Sequence, residues 1–160
     1  MTIELGISDS DRRSVADILN HLLADEYVLY TKTRNYHWNV TGPSFSELHK
    51  FFEAQYEKLD EFIDETAERA RALGASAAGS LAEFAKLARV SEQPGQSLDA
   101  DGMIRQLLAD HETIIRQLRG DAVAATDKYH DIGTSDFLTG LLEDHEKMAW
   151  MLRAYLTKTA

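Results

Sequence analysis

Six histidines and 27 acidic residues, with no cysteine, set the chemistry open to this chain. Disulfides, thiolate zinc sites, iron–sulfur clusters and cysteine nucleophiles are excluded, which leaves imidazole and carboxylate as the metal-binding groups. Two placements stand out. His37 lies four residues before Thr41 and His49 five after Ser44, on either side of a Thr-Gly-Pro-Ser break. At about 1.5 Å per helical residue, both sit roughly 6–8 Å from one hairpin end and can face each other across it. Asp64 and Glu68 are four apart, which puts two hard oxygen donors on one helical face.

Asp64 stands 15 residues beyond His49, about 22 Å along the same helix, so one metal ion cannot touch both within one chain. At about 100° per residue the two are nonetheless only about 60° apart around the axis, on one broad stripe. A second copy of that helix, laid antiparallel on the stripe by a two-fold axis, brings His49 of one chain to Asp64 of the other, twice. Each element also has a plainer use. The run Asp60, Glu61, Asp64, Glu65 and Glu68 fits a solvated face paired with Arg69 and Arg71, and His37 and His49 fit satisfied polar residues beside a turn. The combination is what points to a metal.

A site inside one bundle would use Glu-x-x-His pairs, which project a carboxylate and an imidazole toward one ion. The chain has none: three residues before its histidines stand Ile18, Arg34, Ser46, Leu108, Asp127 and Leu142. Asp127 with His130 comes nearest, and it falls at a helix end, where a cap or a solvated pair is expected. His111 reads as a polar member of an apolar stripe, and His21 and His145 as surface or interface residues. Trp150, Met148 and Met151 read as packing groups on the last helix rather than a haem site.

The elements that must carry these residues are helical. Ser8 with Asp11 resembles a capping box, and Val15, Ile18, Leu19, Leu22 and Leu23 recur at helical spacing, predicting a helix from about Asp9 to near Val40. After the break, Phe45, Leu48, Phe52, Tyr56, Leu59, Phe62 and Ile63 mark a second long helix, ended by Gly74. A short pattern at Leu81, Phe84 and Leu87 follows, then a polar stretch with Gln93, Pro94 and Gly95. Met103, Leu107, Ile114 and Leu118 mark the third long helix. Phe137, Leu141, Met148 and Leu152 mark the fourth, after a turn at Asp131 to Thr134. The expected fold is an all-α, ferritin-like four-helix bundle with a short helix in the crossover between its second and third long helices.

The length of 160 residues suits a single domain, 1–160. The longest unbroken apolar run, Met148 to Leu152, is far short of the roughly 18 residues that span a bilayer, and Met1 to Ser14 lacks a basic-then-apolar signal pattern. A cytoplasmic location is expected, with no membrane contact. A formal charge of −10 argues against a basic nucleic-acid footprint and suits a surface that attracts cations.

The run Asn35-Tyr36-His37-Trp38-Asn39-Val40-Thr41-Gly42-Pro43, followed by Phe45, Leu48-His49, Phe52, Tyr56, Asp64 and Ala67-Glu68-Arg69, resembles the signature of the Dps family, the mini-ferritins first named as DNA-binding proteins of starved cells. The resemblance implies a hollow homododecamer of 23 symmetry with ferroxidase sites at its two-fold interfaces. It assigns His37 and His49 to one subunit and Asp64 and Glu68 to its partner. Fe(II) would be oxidised to Fe(III), preferably by hydrogen peroxide, and stored as ferric mineral, with zinc able to substitute at the site. Trp38 would be an oxidisable neighbour or an interface packing group.

The resemblance further points to Asp131 and Asp136 as pore residues, with Gly140 departing from the family's acidic pattern and helix capping a rival role for Asp136. Glu53 would serve mineral nucleation, with Lys50 and Ala54 departing. The alternative activity is DNA coating that protects the nucleoid. Twelve chains at −10 each would carry about −120, a field that repels phosphate, so weak or no DNA binding is expected.

Overall fold

A computed structural model describes residues 3–156. The order is α1 (Asp9–Asn39), α2 (Phe45–Ala72), α3 (Leu81–Leu87), α4 (Ala100–Asp127) and α5 (Ile132–Leu156), with no strand among the described residues. The four long helices and the short crossover helix stand where the apolar spacing predicts them.

Local chemistry sets the boundaries. Ser8 Oγ accepts the Asp11 N–H at 3.1 Å, and Asp9 and Asp11 complement the positive end of α1. The helix stops at Asn39 because Val40 turns extended and Gly42 takes φ +110° ahead of Pro43. α2 ends at Gly74, at φ +83°, where the Gly74 N–H bonds to the Arg71 carbonyl at 2.9 Å and the Ala75 N–H to Ala70 at 3.1 Å. A Cβ at Gly74 would meet the movable tip of Ile3, so the positive φ rather than space is what favours glycine there.

α1 packs on α2 and α4 on α5, and α3 lies against α1 with Phe84 stacked on Tyr27 at 4.3 Å. Between the hairpins Leu19, Leu22, Leu29, Phe52, Phe62 and Leu107 are fully buried. Burying each such side chain contributes about 1.5–3 kcal/mol. The start of α5 corrects one sequence expectation. Asp131, not Asp136, caps the helix: Asp131 Oδ1 accepts the Thr134 N–H at 2.9 Å and Oδ2 accepts the Thr134 hydroxyl at 2.5 Å. Asp136 lies inside the helix and is exposed. Asp131 directly precedes the first helical residue, Ile132, and Arg69 Nη2 of α2 also reaches its Oδ1 at 3.1 Å.

The long crossover is bonded to α1 through Asn20, His21 and Lys32 and, at Arg89 and Val90, through one buried carboxylate. Asp25 Oδ1 accepts the backbone N–H groups of Arg89 at 2.5 Å and Val90 at 3.0 Å, and Oδ2 accepts Arg89 Nε at 2.8 Å. Asp25→Ala would orphan those two backbone donors, each worth about 1–3 kcal/mol when left unpaired. Urea unfolding followed by circular dichroism is therefore expected to show a loss of about 2–4 kcal/mol. An unchanged midpoint would mean that the crossover is anchored elsewhere.

Candidate metal centre

His37 sits in the last turn of α1 and His49 in the opening turns of α2. The tight connection brings their rings into a stack, with centroids 3.7 Å apart and planes 20° off parallel. The two are tied reciprocally: His37 Nδ1 lies 2.7 Å from the His49 carbonyl, and His49 Nδ1 lies 2.8 Å from the His37 carbonyl. A carbonyl can only accept, so each Nδ1 carries the hydrogen and each Nε2 keeps its lone pair. This is how proteins prepare an imidazole as a metal ligand, with one nitrogen anchored and the other free. Tyr56 closes one side, its ring edge-on to His37 at 5.3 Å, and Phe45 the other, 5.2 Å from His49.

The carboxylates lie apart from this pair. Asp64 and Glu68 are exposed on α2, and neither has an intrachain hydrogen bond or ion pair among the described residues. No group of three or more His, Asp or Glu in one chain is placed to hold a metal ion, again among the described residues. One chain brings together His37 and His49 as donors, and carries Asp64 and Glu68 on a separate open surface.

The other sequence candidates divide. Trp38 is 64% exposed, and its ring faces the Arg34 guanidinium at 5.3 Å. Glu53 is half-buried and accepts from the Tyr56 hydroxyl at 3.4 Å. Burial, reinforced by Glu53, raises the Tyr56 pKa, so the phenol stays protonated. The Asp131 carboxylate is buried and occupied by Thr134 and Arg69, whereas Asp136 is exposed in the first turns of α5. His130 takes φ +56° just past the end of α4, and among the described residues no ion pair joins it to Asp127. His21 is half-buried, with Nδ1 2.7 Å from the Leu87 carbonyl at the end of α3.

A ferritin-like domain profile matches residues 16–160. The chain is 47% identical over 154 residues to an uncharacterized low temperature-induced protein of Nostoc sp., covering 96% of this chain and 86% of that one. It is 36% identical over 147 residues to the DNA protection during starvation protein 2 of Bacillus anthracis, covering 91% and 99%. Among solved structures it superposes on the Dps protein of Vibrio cholerae, described as a member of a broad superfamily of ferritin-like diiron-carboxylate proteins. That match has a TM-score of 0.90 and 34% identity, and covers 98% of both chains.

One buried cluster departs from the sequence reading. His145 is not at the surface: it is 0% exposed, with Nε2 2.7 Å from Glu26 Oε1 and Nδ1 2.8 Å from His111 Nδ1. The Glu26 carboxylate can accept the Nε2 hydrogen of His145, and His111 then donates to the His145 Nδ1. A signal was present, because His145 continues the stripe Leu138, Leu141, Leu142, Met148 and Leu152.

Burial, and secondarily His145, pushes the His111 pKa well below the ordinary imidazole value. The unfolded chain therefore takes up a proton near pH 6.5 that the folded chain refuses. Stability from this group is complete above that pH and is lost as pH falls. Urea melts between pH 7 and 5 are expected to be shallower in pH dependence for His111→Leu than for the wild type, by at most about 1.4 kcal/mol per pH unit. Identical slopes would contradict the assignment.

Proposed function

The chain belongs to the ferritin-like family, among the Dps proteins, and from that premise we propose that it oxidises Fe(II) and stores the ferric product. The observation that supports this most directly is the reciprocal bond between His37 and His49, which leaves an Nε2 lone pair on each of two stacked rings. Imidazole nitrogen suits Fe(II), and added anionic oxygens stabilise Fe(III) more strongly, so a mixed site favours loss of the electron.

The carboxylates come from a second copy. Asp64 and Glu68 of the partner would hold the iron together with His37 and His49 of the first chain, the carboxylates supplying the anionic oxygens that favour Fe(III). Paired irons suit a two-electron oxidant. Hydrogen peroxide accepts one electron from each of two Fe(II) ions and, with two protons, leaves as two waters. Zinc fits the same donors without redox chemistry and would block the site.

The closed assembly proposed is a hollow dodecamer of 23 symmetry, with the mineral inside. Asp136, exposed near the start of α5, is the acidic group best placed to line an iron access route, with Asp131 holding that helix start from behind. Glu53 serves nucleation. Trp38 packs at the two-fold interface and stands as an oxidisable neighbour. Relatives carry names referring to DNA protection, yet a charge of −10 per subunit opposes phosphate binding at neutral pH, so DNA coating is the weaker reading.

The test is anaerobic Fe(II) loading followed by peroxide, read as ferric absorbance. The wild type is expected to oxidise two Fe(II) per peroxide. His49→Ala and Asp64→Ala should each lower the rate at least roughly tenfold, the scale on which even outer hydrogen-bond partners of metal ligands matter. Undiminished oxidation in both variants would remove these residues from the site.

A further inference from the structure

A cavity of about 210 Å³ lies where α3 meets the first half of α1. Its polar walls are Asp17, Asn20 and His21 of α1, Ser76 of the connection after α2, and Glu83 of α3. No lysine or arginine is among its lining residues, so the two carboxylates have no cation beside them within the cavity.

The walls are fixed by bonds that leave the metal-binding atoms open. Asn20 holds the connection through both ends of its amide: Nδ2 donates to the Ser76 carbonyl at 3.1 Å, and Oδ1 accepts the Ala78 N–H at 2.8 Å. Glu83 Oε2 accepts the Ser80 hydroxyl at 2.7 Å and the Gly79 N–H at 3.2 Å, and these bonds keep the carboxyl below its ordinary pKa. His21 Nδ1 lies 2.7 Å from the carbonyl of Leu87, the last residue of α3. A carbonyl only accepts, so Nδ1 carries the hydrogen and Nε2 keeps its lone pair. Asp17 is exposed and has no hydrogen bond or ion pair among the described residues.

We propose that Asp17 and His21 bind a divalent transition-metal cation in this cavity, with water completing its coordination and Glu83 reached through one of those waters. The two residues are four apart on α1, which sets their Cβ atoms about 5–6 Å apart on one face, a span that one ion can bridge. No third His, Asp or Glu closes on the same point among the described residues, which is why water fills the other positions. Capping the end of α3 occupies Nδ1 alone; it leaves the second ring nitrogen and Asp17 free, the arrangement in which a backbone carbonyl orients an imidazole for a metal. Imidazole beside carboxylate selects zinc or Fe(II) over magnesium and calcium, which take oxygen ligands. His21 stands 16 residues before His37 on the same helix, about 24 Å away, so this ion is separate from the iron centre and does not depend on the function proposed for it. Through Glu83 it links α1 to the crossover.

The experiment uses zinc and the assembled protein carrying His49→Ala and Asp64→Ala, which removes zinc binding at the iron centre. Crystals equilibrated with zinc are measured on both sides of its absorption edge, and zinc uptake is followed by equilibrium dialysis. An anomalous peak is expected between Asp17 and His21, together with a melting temperature that rises with zinc. Adding Asp17→Asn, or His21→Gln, whose amide can still donate a hydrogen bond, should weaken zinc at this position at least roughly tenfold and remove the thermal shift. Absence of the peak, a peak and an affinity unchanged in both variants, or displacement of the zinc by excess magnesium overturns the proposal.

Discussion

Each imidazole at the α1–α2 turn uses one nitrogen on the other's backbone carbonyl, and the rest of the centre depends on that exchange. It closes the hairpin end, fixes both tautomers and leaves an Nε2 lone pair on each of two stacked rings before any metal arrives. An imidazole tethered only through its side-chain bonds would rotate, and ordering it would subtract from affinity. Here the backbone of two helices supplies that order, because the turn from Val40 to Ser44 is too short to let them separate.

A rigid helix then imposes the second condition. α2 is continuous from Phe45 to Ala72, so His49 and Asp64 stay about 22 Å apart whatever the side chains do. Nothing within one chain can shorten that distance. The buried contacts elsewhere serve the same rigidity: Asp25 holds the crossover to α1, Lys32 pairs with Asp110 across to α4, and Arg69 ties α2 to the Asp131 cap of α5. With the helices fixed, exposed Asp64 and Glu68 present an open carboxylate surface, and the proposed occupant of that surface is a second copy carrying His37 and His49.

Much of this was readable from spacing because it is local. The distances of His37 and His49 from the break, the shared face of Asp64 and Glu68, and the four apolar stripes depend only on helical geometry. What escaped the sequence depends on long-range pairing. A backbone carbonyl belongs to every residue alike, so the reciprocal histidine bonds had no sequence signature. His145 occupied a core position in its stripe, but its polarity suggested the surface until Glu26, 119 residues away, appeared as its partner. Asp131 and Asp136 both read as pore residues, with capping a rival role for Asp136, and only the folded start of α5 shows Asp131 as the cap, bonded to Thr134 and Arg69. Chemistry-bearing residues were thus placed on the right elements, while their tautomers and partners needed the packed bundle.

The central claim is that each centre is built by two chains, and mixing two defective chains tests it most directly. His49→Ala and Asp64→Ala subunits are unfolded together, reassembled at equal ratio, and compared with each variant reassembled alone. A dimer holding one of each has one site lacking both groups and one site intact. With random pairing half the dimers are mixed, so peroxide-driven iron oxidation should return to about one quarter of wild type if sites act independently. A centre formed within one chain would give no recovery in properly mixed, correctly assembled particles, and that result would contradict the account.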